Sequence, residues 1–140
     1  MVHPTSIRLS QSVKHQLEQQ AARANVRPAA LAARLIDEGV RMADHPGIVF
    51  RDSAAHDRVA CLARGPDVAE VIEVLIGLKS HGEERVAETA EWLGMHPTRV
   101  RLALSYYTEH QSEVDAQIRR RREEAEELRQ RHEAERALLE

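Results

Sequence analysis

A chain of 140 residues has room for one ordinary domain or two very small ones, and with 3% aromatic and 31% charged residues its core falls to aliphatic side chains, a composition that suits helices. One cysteine, Cys61, excludes an internal disulfide framework; no apolar run reaches the ~18 residues of a membrane span and the start lacks a secretory layout, so a cytoplasmic protein without a membrane partner is expected. The net charge of −3 is uneven, because residues 1–42 hold six basic against three acidic groups, a surplus of +3 that leaves the remainder at −6 and makes the first 42 residues the part to meet a polyanion.

Residues 5–10 alternate polar and apolar, with Ile7 and Leu9 on one face and Ser6 and Arg8 on the other, which predicts a short strand. Ser10 is placed to cap a helix running to about Ala24, with Val13, Leu17 and Ala21 inward. Asn25, Val26 and Arg27 make a turn. Pro28 then sits where a first-turn proline is tolerated, and a second helix follows with Leu31, Leu35, Ile36, Val40 and Met42 apolar, fading near Asp44.

Two apolar runs, 48–50 and 58–62, flank the polar stretch 51–57 and read as a hairpin. Gly65, Pro66 and Asp67 break the chain before a helix over 68–79, apolar on too many sides to stand alone and so a core element. Helices over 83–93 and 97–110 follow, separated by Gly94, Met95 and His96. From Ser112 the character changes: of the last 29 residues nine are acidic and seven basic, with too thin an apolar seam for a coiled coil, which reads as a helix completed by a partner. The domain reading is therefore 1–44, a linker with hairpin at 45–66, a helical domain at 67–111 and a charged helix at 112–140.

Three constellations bear on function. A strand followed by two helices within 42 residues has no strand neighbour of its own, so pairing with a second copy is expected, in an antiparallel ribbon that closes a core of Ile7, Leu9, Val13, Leu17, Leu31 and Leu35. Such a ribbon fits the major groove of B-DNA, presenting Ser6 and Arg8 to base edges, while Arg27 and the free amides near Ala29 hold a phosphate. The alternative is a dimerisation clasp without DNA. Residues 6–10, the turn at 25–28 and the run 31–36 resemble the ribbon-helix-helix repressors, which include many VapB-type antitoxins; the resemblance covers nearly a third of the chain. That family usually offers three outward polar strand residues, and the first here falls on Pro4, which cannot donate, so base reading is relaxed or shared with His3.

The second is the run 89–104, with the spacing of a helix-turn-helix: small Ala90 at the crossing, Gly94 at the turn, then Val100 and Ala103 or Leu104 packing back. One reading places Thr98, Arg99 and Arg101 in a groove; the other is a purely structural unit, favoured by Glu83, Glu84, Glu88 and Glu91, whose charge repels phosphate. With the hairpin and the acidic final helix, this stretch is similar to a small helix-turn-helix-like domain of bacterial antitoxins whose partners are PIN-like ribonucleases. The third is the tail, with Ile118, Leu128 and Arg119, Arg120, Arg121, Arg122, Arg129 and Arg131 as candidate partner-binding residues; what the resemblance implies is an arginine delivered among the metal-binding carboxylates of such a nuclease. For any single arginine, solvated surface charge is the alternative.

Enzymatic patterns are missing: there is no phosphate-cradling glycine loop, and His3, His15, His45, His56, His81, His96, His110 and His132 are scattered without metal-ligand spacing to a carboxylate or to Cys61. No cofactor and no metal are expected. The sequence thus predicts a mainly α protein, not an enzyme, that represses its own operon as a homodimer on operator DNA and neutralises a PIN-like ribonuclease toxin. The alternatives are a plain ribbon-helix-helix repressor and a structural adaptor.

Overall fold

The computed structural model describes residues 3–55 and 57–140. Among them it has six helices and a small two-stranded antiparallel sheet, in the order α1 Gln11–Ala24, α2 Pro28–Asp44, β1 Ile48–Asp52, β2 Arg58–Leu62, α3 Val68–Gly77, α4 Gly82–Leu93, α5 Pro97–Glu109 and α6 Gln111–Leu139. The chain divides into two compact units, residues 1–43 and 44–140.

In the first unit the local signals operate as read. The Ser10 hydroxyl accepts from the Val13 N–H at 3.2 Å and caps α1, while Asn25 adopts the left-handed conformation (φ 55°) and donates its N–H to Ala21 and Ala22. Pro28 opens α2. Residues 3–10 carry no secondary structure in the single chain, so the strand expected there is not formed within one copy. The physical reason is the one that predicted a partner: a lone strand satisfies none of its backbone groups.

The second unit is built around α3 and α5, each of which touches the hairpin and α6. The sheet is in the register Ile48 to Leu62, Phe50 to Ala60 and Asp52 to Arg58. Ile48, Leu62, Val68, Val71, Ile72, Val100, Ala103 and Tyr106 are buried in one core that also takes Val114 and Ile118 from the start of α6. The divisions drawn at 66 and 111 therefore do not interrupt packing. The hairpin approaches α5 closely at Gly47, where φ is +97°, a conformation that favours glycine, and where a Cβ would lie 2.6 Å from Leu102 Cδ1 and so would have to displace the end of that side chain.

Helix α3 stops two residues before the expected Lys79. Leu78 turns extended (ψ 147°), and its carbonyl and that of Ser80 accept from the Arg85 guanidinium at 3.1 and 2.6 Å, so a side chain of α4 satisfies the carbonyls of the turn that ends α3. Gly94 then takes φ 66° between α4 and α5, donating its N–H to Ala90 and Glu91. No helix among the described residues is long and apolar enough to cross a membrane.

Candidate functional site

The first candidate surface lies in residues 3–43. Ser6, Arg8, Arg27 and Ala29 are all exposed, with Ala29 in the first turn of α2, where helix amides lack partners. Beside them runs a groove whose apolar walls include Ile7, Leu9, Leu17, Ala32, Ala33 and Ile36. Of the expected core only Leu31 is buried, together with Ala21 from the α1 stripe; Ile7 is 60% exposed and Val13, Leu35 and Ile36 about half exposed. Eight large aliphatic side chains, Ile7, Leu9, Val13, Val26, Leu35, Ile36, Val40 and Met42, are thus left open on a unit of 43 residues. Lone exposed aliphatics need no explanation, whereas this density on so small a unit does.

The second candidate surface is the α4–α5 corner. Ala90, Val100 and Ala103 are buried and Gly94 turns, so the corner has the predicted packing. Its polar residues are engaged within the chain. Arg99 donates to the Ala63 carbonyl, Arg101 pairs with Glu83, and Thr98 is held by His96, whose Nδ1 accepts from the Thr98 N–H at 3.2 Å. The acidic neighbourhood therefore acts directly, one of its carboxylates neutralising Arg101. Reaching a phosphate would cost Arg99 and Arg101 these partners.

The third is α6. Ile118 is corrected as a partner-facing residue: it is 4% exposed and belongs to the chain's own core, because it follows Val114 by one helical turn on the face that meets α3. Arg121 is likewise held, by Asp67 at 3.3 Å and Glu73 at 3.4 Å, and Arg120 lies 3.8 Å from Asp57. Asp67 is a node, accepting also from Gln117 at 3.4 Å, Arg51 at 3.5 Å and the Cys61 thiol at 3.2 Å, so it ties hairpin, α3 and α6 together. Burial pushes the Cys61 thiol up to about 11, which leaves it a small hydrophobe and not a nucleophile at neutral pH. Beyond this node α6 is exposed. Arg129 is braced by Glu126 and Glu133, each at 2.6 Å, and holds the Glu126 carboxyl below its ordinary value. Arg119, Arg122 and Arg131 have no ion-pair partner among the described residues, and Leu128 is exposed.

One cluster is visible only in three dimensions. His45, buried just after α2, brings Nε2 to 2.9 Å from Oε2 of Glu109, and His110 lies beside both. Sequence spacing suggested no such group, since 64 residues separate His45 from Glu109. His56 lies outside the described residues. Compared with protein-family models, curated proteins and solved structures, the chain matches none.

Proposed function

We infer that this protein is a DNA-binding antitoxin: a homodimer through its N-terminal segment, which reads operator DNA, with α6 as the arm that binds a PIN-like ribonuclease. The observation that carries the reading is the first unit itself. Residues 3–43 comprise a leading segment without secondary structure and two helices whose large aliphatic side chains stand in solvent, a half-domain that a second copy would complete. Pairing residues 5–10 antiparallel across a two-fold axis buries Ile7 and Leu9 against the helices of both copies and turns Ser6 and Arg8 outward together. The surplus of +3 in residues 1–42 is doubled in the dimer, which supports affinity for a polyanion.

For the toxin arm, support comes from the exposed length of α6 and from the arginines not engaged within the chain, Arg119, Arg122 and Arg131, with Leu128 as an apolar contact. A guanidinium among metal-binding carboxylates would take the electrostatic place of the metal. Because the engaged Arg99 and Arg101 argue against a groove role for the α4–α5 corner, DNA reading is assigned to the N-terminal segment alone.

The test has two arms. Full-length protein is titrated onto the DNA upstream of its own gene across a salt series, where saturable binding with a steep negative salt slope is expected and its lack rejects the DNA reading. It is also co-expressed with the product of the adjacent gene, where stable co-purification and loss of nuclease activity are expected. DNA binding without a nuclease partner leaves a plain repressor; neither leaves an adaptor.

A further inference from the structure

The chain passes from α5 to α6 through His110, whose φ of −128° and ψ of 39° end one helix and admit the next. Its imidazole stacks on Tyr106 at 4.4 Å, and Tyr106, fully buried, also lies edge-on to His45 at 5.2 Å. The two imidazoles stand 5.6 Å apart. One ligand atom each from His45, Glu109 and His110 fall within 4.8 Å of one another. Core packing therefore sets the positions of both rings, and Glu109, mostly exposed, closes the group from the solvent side.

We propose that His45, Glu109 and His110 bind a divalent transition ion, with Zn²⁺ as the best fit. Two imidazole nitrogens and one carboxylate oxygen are a donor set suited to Zn²⁺, Ni²⁺ or Cu²⁺, whereas Mg²⁺ and Ca²⁺ take oxygen ligands. A tetrahedral Zn²⁺ with bonds of ~2.0–2.1 Å holds its donors ~3.4 Å apart, so donors that lie within 4.8 Å of one another reach that geometry by a small side-chain adjustment. The ion replaces the hydrogen bond between His45 and Glu109.

Charge favours a cation here. The C-terminal end of α5 and the N-terminal end of α6 meet at His110, so their dipoles oppose one another and the favourable charge comes from the carboxylates. Glu113, which lines the same surface hollow as Glu109 and His110, adds a second carboxylate, held by the Tyr106 hydroxyl at 2.8 Å. With three protein ligands, the fourth position faces water. Such an ion joins the segment before β1 to the elbow from which α6 departs, so it would fix the direction of the exposed arm. The inference uses residues of the second unit only and stands apart from the DNA and toxin readings.

The untagged full chain, stripped with chelator and titrated near neutral pH with Zn²⁺, should take up one ion per chain and melt several degrees higher. Co²⁺ in its place should give the intense visible bands of a four-coordinate site. His110→Gln and Glu109→Gln should each weaken uptake by about 100-fold or more, and Glu109→Gln, at an exposed position, should leave the melting temperature of the metal-free protein almost unchanged. No uptake, uptake that survives in both variants, or a wild-type Co²⁺ spectrum of the weak six-coordinate kind overturns the proposal.

Discussion

At the scale of single residues, the proposed DNA complex gives two arginines different tasks, one reading and one anchoring. On the proposed ribbon Arg8 would face outward, where a guanidinium can bridge O6 and N7 of guanine, whereas Arg27 is exposed and immediately precedes the first turn of α2, whose amides lack helix partners. Arg8→Ala should cost about 1–3 kcal/mol of operator affinity and flatten preference at one base pair, while Arg27→Ala should weaken all sequences alike; both follow from binding titrations on point-mutated operators. Unchanged affinity in both variants removes the N-terminal segment as the reader. Cys61 makes a different kind of prediction. Its thiol ionises near 11 in the folded protein, above the value of an unfolded chain, so ionisation favours the unfolded state. Stability should be unaffected by this group below pH ~8.5 and should fall by about 1–3 kcal/mol as pH rises from there to ~11, a loss absent from the matched Cys61→Ala series in denaturant titrations.

At the scale of elements, α6 serves two ends at once. Its first turns are core, with Val114, Gln117 and Ile118 buried, and the remainder is exposed. Ile118→Ala should cost about 2–5 kcal/mol of stability, the range for emptying a packed aliphatic site, whereas Leu128→Ala should stay within about 0.5 kcal/mol and act on partner binding alone. An arm-deletion experiment must therefore keep the chain through Arg122. Removing residues 123–140 leaves the core and the Asp67 node whole, and full inhibition of the nuclease by that protein would confine the toxin contact to the helix before it. At the hairpin, Gly47→Ala meets both a positive φ and Leu102, and should destabilise by about 1–3 kcal/mol in thermal or denaturant unfolding.

At the scale of the whole molecule, the two units answer to different laws. The second has a shared core and should unfold in a transition independent of concentration, whereas the first buries only Ala21 and Leu31 of its apolar side chains and, in the proposed dimer, should unfold at a midpoint that rises with concentration. Leu9→Asp should accordingly dissociate the dimer in sedimentation and abolish DNA binding while leaving the second unit's melting transition in place. Retained dimerisation would mean that another surface joins the copies.

Much of this architecture could be read from the chain because its cues are local. Ser10 before a periodic run, Asn25 and Pro28 around a turn, Gly94 between two helices and the alternation at 48–62 each act within a few residues, so the helices and the hairpin stand within a residue or two of expectation. What tertiary packing alone decided is which side chains are used up. Ile118, Arg99, Arg101 and Arg121 looked as available as Leu128 or Arg131 in the sequence, and only the fold packs the Ile118 face of α6 against α3 and brings the three arginines to Ala63, Glu83 and Asp67. His45 met Glu109 and His110 for the same reason: spacing along a chain reports neighbours on one helix, while a contact across 64 residues is set by how the helices pack.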